Sequence, residues 1–208
     1  MIDGKLREAL HSTFEGLARS VDHPAISPNL ITLLGLVTGL AGALSAWQRS
    51  WFLALALWLF SRIADGIDGP LSRRRLSHGA PQNSAGGYLD IMADFTVYGS
   101  FVIGVAHGSG GNYLPFIFVL LAYYLNGTSF LAFSSIGEKE GIRIEDDRSL
   151  SFIHGIAEAT ETIIVHSAWC IFPSSAAKIA GVWAGVVLIS ATLRFLQSKK
   201  ILEKGVIR

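Results

Sequence analysis

Three stretches of this 208-residue chain, 29–48, 113–134 and 176–196, are apolar with almost no interruption. About 20 residues at ~1.5 Å rise each cross the ~30 Å hydrocarbon core of a bilayer, so each stretch is long enough to span one. Three more windows of similar length, 51–71, 86–106 and 152–172, are apolar but carry ionisable groups. In a bilayer every backbone polar group must find its partner inside the chain, which leaves helices for segments of this length. The expected fold is therefore an all-α integral membrane protein with six transmembrane helices. Composition agrees: 16% of the residues are charged, against about 25% in an ordinary soluble domain.

The basic residues test this arrangement independently, because cytoplasmic loops are enriched in Lys and Arg. Residues 5, 7 and 19 precede the first window and 73–75 separate the second from the third. Residues 139, 143 and 148 separate the fourth from the fifth, and 194, 199, 200, 204 and 208 end or follow the sixth. Only Arg49 and Lys178 fall in the alternate loops, and Arg62 lies inside the second window. The expected topology is a multi-pass protein of the cytoplasmic (inner) membrane, with both termini and the two charged loops in the cytoplasm.

Residues 1–23 have a different pattern. Ile2, Leu6, Leu10, Phe14, Leu17 and Val21 recur at spacings of three and four among charges, which suits an amphipathic helix lying on the membrane surface. The alternative is a small soluble cap packed on the loops. Pro24 and Pro28 end that helix, and Ser27 or Asn29 can cap the next. Charges at Asp3, Lys5, Arg7 and Glu8 are foreign to a secretory leader, so no cleaved leader is expected. The single cysteine, Cys170, cannot form an internal disulfide. With no internal repeat, the chain reads as one domain, 1–208, made of an interfacial helix at 1–23 and a six-helix core at 27–198. A net charge of +1 implies no nucleic-acid partner.

Six of the 16 acidic residues, Asp65, Asp68, Asp90, Asp94, Glu158 and Glu161, lie within or at the edge of the windows. Carboxylates are costly in hydrocarbon unless they face water, are protonated or are neutralised by cations. Arg62 is the one basic residue among them, too little to neutralise the cluster by ion pairing. Asp65 and Asp68 are three apart and Asp90 and Asp94 four apart, so each pair shares a helix face. Both pairs fall near the same end of antiparallel neighbours, and four oxygen donors can converge there. Such a set suits Mg²⁺ or Mn²⁺, and is large enough for two ions. Gly66, Gly69, Gly86 and Gly87 flank the aspartates and leave room for a phosphate to approach the backbone.

The segment Asp65-Gly-Ile-Asp68-Gly69-Pro-Leu-Ser72-Arg73, followed by Gly86-Gly-Tyr-Leu-Asp90-Ile-Met-Ala-Asp94, resembles the signature of the CDP-alcohol phosphotransferase family, D-x-x-D-G-x-x-A-R then G-x-x-x-D-x-x-x-D. Seven of its eight fixed positions match, and Ser72 stands for the usual Ala. The 12 residues 74–85 make a longer gap than is usual in the family. Ser27, Pro28, Asn29 and Thr32 match the family's opening to its first span.

This resemblance implies transfer of a substituted phosphate from a CDP-linked donor to an alcohol, with CMP leaving. It implies that Asp65, Asp68, Asp90 and Asp94 hold two divalent ions, and that Asp94 also takes the acceptor's proton. Gly69 and Arg73 would contact the CDP moiety, with Gly66, Thr32, Gly86 and Arg62 around it, although Arg62 serves equally well as a structural partner of Asp65. The expected donor is CDP-diacylglycerol; the alternative is a soluble CDP-amino-alcohol with diacylglycerol as acceptor. A homodimer is expected from the resemblance alone.

For the acceptor, His154, Glu158 and Glu161 share a face of the fifth window, and Asn126 in the fourth can meet them. Alternatively the glutamates pair with Arg143 or Arg148. An acidic acceptor pocket would favour an amino-alcohol or a neutral hydroxyl compound over a phosphorylated polyol. Membrane carboxylates also build cation transporters and proton relays, but those place the carboxylates near the midplane, often in two related halves that this chain lacks.

Overall fold

The computed structural model describes residues 3–79, 84–141 and 159–204, with side chains from Ser12 to Glu203 within those ranges. Its helices are α1 (Asp3–Ser20), α2 (Pro28–Trp47), α3 (Trp51–Ser77), α4 (Ser84–Gly108), α5 (Leu114–Lys139), α6 (Ala159–Ile171) and α7 (Ala176–Lys204), with a single 3₁₀ turn at Pro173–Ser175. Among the described residues there is no strand. Among the described residues four segments are long and apolar enough to cross a membrane: α2, α4, α5 and the stretch Pro173–Glu203, which takes in all of α7 but its last residue. The 27-residue α3 has the length, but Arg62, Asp65, Asp68 and Arg73–Arg75 break its apolar character. α6 is described over 13 residues, because 152–158 of the fifth window lie outside the described residues.

Several helices run beyond the apolar windows that predict them. α3 continues through Arg73–Arg75 to Ser77, and α5 ends at Lys139. Hydropathy marks where a helix meets water, whereas Arg and Lys remain good helix formers whose charged ends can reach solvent.

The chain divides into two compact units, Met1–Gly104 and Val105–Arg208, and the division falls inside α4. In the first unit α2 begins at a Ser27 N-cap, whose hydroxyl accepts the Leu30 N–H at 3.1 Å, with Pro28 occupying the first turn. Gly35, Gly39 and Gly42 line α2 at the points of closest approach. A Cβ at Gly39 would fall 2.5–2.6 Å from both methyls of Val97 on α4 and 2.8 Å from Ser61 Oγ on α3, so only glycine lets three helices meet there. Ser61 Oγ also donates to the Gly35 carbonyl at 2.7 Å. α1 is a helix and it packs on α3. Ala18, Ile31, Ala64, Ile67 and Leu71 form a buried cluster that Phe14, Val21 and Ile26 cover. Part of the apolar face of α1 is therefore spent on protein, while Leu17 remains exposed.

In the second unit α5 and α7 pack along each other, and α6 joins them through a buried polar knot. Tyr123 Oη lies 2.9 Å from His166 Nε2 and accepts the Trp183 N–H at 2.8 Å. His166 is fully buried and stacks on Trp169 with ring centroids 4.4 Å apart. Polar groups this deep need internal partners, and these three helices supply them to one another.

Candidate metal centre

The signature aspartates come from two helices of the first unit, Asp65 and Asp68 from α3 and Asp90 and Asp94 from α4. Asp65, Asp90 and Asp94 each offer one carboxylate oxygen, and the three atoms lie within 4.8 Å of one another. Three anionic oxygen donors at this spacing, each still partly open to solvent, fit a hard divalent cation such as Mg²⁺ or Mn²⁺. Asp68 is not one of the three. It is buried, and its Oδ2 accepts a 2.5 Å hydrogen bond from Thr32 Oγ1 on α2. Thr32 thus acts first as a support for the aspartate, a link the sequence assigns to nucleotide contact.

Arg62 resolves into a partner for the carboxylates. Its Nη1 is 2.6 Å from Asp94 Oδ1 and 3.7 Å from Asp65 Oδ2. Nη2 donates to Ser61 Oγ at 3.0 Å. The guanidinium lies against Trp58 and Tyr98, 5.1 and 4.8 Å from their ring centroids, and is only 6% exposed. The sequence offered Asp65 as a structural partner for Arg62, and the structure makes Asp94 the nearer of two carboxylates. One guanidinium meets two carboxylates, Asp65 one turn along its own helix and Asp94 32 residues away on α4. Trp58, one turn before Arg62, was the available signal, since residues four apart share a helix face.

The glycines differ in what they face. A Cβ at Gly66 would stand 2.5–2.8 Å from three ring carbons of Phe14, so the space predicted for nucleotide is filled by α1. At Gly69 the nearest group is Arg73 Nη1, 3.4 Å from where a Cβ would lie. At Gly86 it is Asn29 Oδ1, at 3.1 Å, which brings the start of α2 to the second half of the signature. Arg73 is exposed and, among the described residues, has no hydrogen-bond or ion-pair partner.

Arg74 and Arg75 are committed elsewhere. Arg74 Nε at 2.8 Å and Arg75 Nε at 3.2 Å hold Asp22, and Arg75 Nη2 donates to the His23 and Ile26 carbonyls at 2.9 and 2.7 Å. The hydrogen bond from Arg74, joined by that from Arg75 and by the charges of both guanidinium groups, outweighs burial and holds the Asp22 carboxyl below the usual carboxylate range. These bonds clamp the α1–α2 connection to the end of α3. Phe14 and Asp22 were not legible as site-supporting residues.

Of the predicted acceptor residues, Asn126 lies on α5 and Glu161 in the first turn of α6, both in the second unit. Asn126 Oδ1 is buried and has no hydrogen-bond partner among the described residues. His154 and Glu158 lie outside the described residues.

The chain is similar to Inner membrane protein YnjF of Escherichia coli K12, 34% identical over 178 residues and 84% of each chain. It is also similar to archaetidylinositol phosphate synthase of Pyrococcus horikoshii, 26% identical over 97% of this chain and 98% of the relative. Among solved structures it shares its fold with phosphatidylinositol phosphate synthase (PgsA1) of Mycobacterium tuberculosis. The crystal structure with CDP-DAG bound superposes with a TM-score of 0.70 at 18% identity, over 89% of this chain and 92% of that one. The structure with manganese and citrate gives 0.69 at 19% identity, over 89% and 88%. The family model for CDP-alcohol phosphatidyltransferase matches residues 25–190, which include both halves of the signature and run through both units. With most of its length matched by that model, the chain belongs to the CDP-alcohol phosphatidyltransferase family.

Proposed function

We propose that this membrane transferase moves a phosphatidyl group from CDP-diacylglycerol to the hydroxyl of an alcohol and releases CMP. The observation that carries the reading is the convergence of Asp65, Asp90 and Asp94 within 4.8 Å on the two signature helices. Family membership favours transfer chemistry over ion transport. The CDP-DAG and manganese in the PgsA1 structures support a CDP-lipid donor and a divalent cofactor here.

In this reading Asp65, Asp68, Asp90 and Asp94 hold two divalent ions, whose chemistry is to neutralise the donor's pyrophosphate charge. Arg73, without a hydrogen-bond or ion-pair partner among the described residues and near Gly69, anchors a phosphate of the CDP moiety. Thr32 keeps Asp68 oriented, and Gly86 leaves room beside Asn29. Asp94 accepts the proton of the acceptor hydroxyl as that oxygen bonds to the lipid-bearing phosphorus and the bond to CMP breaks. A lipid donor keeps its tails in the bilayer while its nucleotide enters the site.

The reading carries with it six spans, with α3 and the fifth window added to the four long apolar segments, and α1 at the membrane interface. It also carries cytoplasmic termini, a cytoplasmic opening, one functional domain and a homodimer. Glu161 and Asn126, with His154 and Glu158, would line an acceptor pocket for an amino-alcohol or neutral hydroxyl compound. The test is CMP release by the full chain in nanodiscs containing CDP-diacylglycerol, with a panel of labelled alcohols and added Mg²⁺ or Mn²⁺. Labelled lipid formed with at least one acceptor supports the reading. Absence of any product, or product formed only from CDP-amino-alcohol and diacylglycerol, overturns it.

A further inference from the structure

Arg62 is a cation on α3 that is only 6% exposed, a placement that persists only where the charge is paired. Groups of the first unit hold both terminal nitrogens of the guanidinium, while its Nε is buried without a hydrogen-bond partner among the described residues. Trp58 and Tyr98 flank it, Ser61 takes Nη2, and Nη1 meets Asp94 Oδ1 at 2.6 Å with Asp65 Oδ2 at 3.7 Å. Ser61 is itself tied to the Gly35 carbonyl of α2, so the guanidinium is fixed to the backbone of a third helix. A group held at this many points cannot swing aside when substrate arrives.

We propose that Arg62 is the positioning residue for Asp94 and the resident positive charge of the metal centre. Nη1 takes Oδ1 while Nη2 is held by Ser61 Oγ, so the planar fork fixes that oxygen and leaves the second one to work, a two-point anchorage that a flexible lysine ammonium does not reproduce. Its charge also sets how strongly the carboxylates attract a metal ion. A fixed cation 2.6 Å from one carboxylate and 3.7 Å from another weakens cation binding at both, so the centre is less greedy for metal than its aspartates alone would be. The proposal rests on the transfer reading for its kinetic half; the half concerning metal affinity stands on the geometry of the cluster.

The experiment compares wild type, Arg62→Met and Arg62→Lys as full chains in nanodiscs. Mn²⁺ binding without substrate is read by EPR, folding by thermal unfolding, and turnover by CMP release. Arg62→Met should bind Mn²⁺ about tenfold more tightly, because a nearby positive charge has gone. It should lose about a hundredfold in kcat, because Asp94 is no longer fixed, with KM for the donor unchanged. Arg62→Lys should return Mn²⁺ affinity to near the wild-type value, because the charge is back, while kcat stays low, because the planar fork is not. Weaker Mn²⁺ binding in a folded Arg62→Met protein, or wild-type kcat in either variant, overturns the proposal. If Arg62→Met does not fold, Arg62→Lys carries the kcat test alone. Absence of CMP release by the wild type defeats the transfer reading instead, and the Mn²⁺ measurement then still decides the charge role.

Discussion

Thr32 Oγ1 lies 2.5 Å from Asp68 Oδ2, so a hydroxyl near the start of α2 holds a buried carboxylate of α3. The hydroxyl oxygen also lies 3.2 Å from the Pro28 carbonyl, the longer of the two acceptors that share its single proton. The bond joins the opening Ser-Pro-Asn-x-x-Thr segment to the aspartate signature and gives that segment a physical task. Thr32→Val keeps the side-chain shape but leaves Asp68 without this donor, and should lower stability by about 1–3 kcal/mol. Thr32→Ser should restore most of it. Thermal unfolding of the two variants decides the point, and an unaltered Thr32→Val protein would show that Asp68 is satisfied in another way.

Asp65→Asn and Asp90→Asn remove charge without volume from the three-carboxylate cluster. Each should weaken Mn²⁺ binding and lower turnover by more than about a hundredfold while the protein stays folded. EDTA should abolish wild-type activity, and excess Mg²⁺ or Mn²⁺ should restore it. Asp94→Asn should spare donor binding and lower kcat by about 10² to 10⁴, the usual worth of a general base. Metal binding by EPR beside CMP release separates the two kinds of loss.

Gly66→Ala places a methyl 2.5–2.8 Å from the Phe14 ring. Either the ring or α1 must shift, at an expected cost of about 1–3 kcal/mol. Phe14→Leu should recover part of that loss in the double variant, although by itself it is destabilising. A double-mutant cycle in thermal unfolding measures the coupling, and additive effects would show that α1 yields freely.

Asp22 supplies a pH dependence of stability. Its carboxyl is held below its ordinary value, chiefly by the hydrogen bond from Arg74. A depressed folded-state value means that the clamp's contribution is present above the unfolded carboxylate value of about 4 and fades as pH falls through the lower folded-state value. Wild type should therefore be more stable than Asp22→Asn near neutral pH, and the two melting curves should draw together on acidification. A gap that stays constant down to strongly acidic pH would refute the clamp.

The sequence by itself determined the elements and their chemistry. Hydropathy over about 20 residues is a local property, and it marked where most of the described helices begin, while α3, α5 and α7 run on past their windows through Arg and Lys. Spacings of three and four put Asp65 with Asp68 and Asp90 with Asp94 on common faces for the same reason, since a helix fixes its own periodicity. Periodicity says which face a residue occupies and nothing of what that face meets. The partners of Asp94, Asp68 and Gly66 are Arg62, Thr32 and Phe14, drawn from other helices 32, 36 and 52 positions away in the chain. Only tertiary structure could choose them, because each contact depends on how closely α1, α2, α3 and α4 approach. That approach is set by where side chains are missing, at Gly35, Gly39, Gly42 and Gly66, and the depth of a packing contact is a property of two surfaces together.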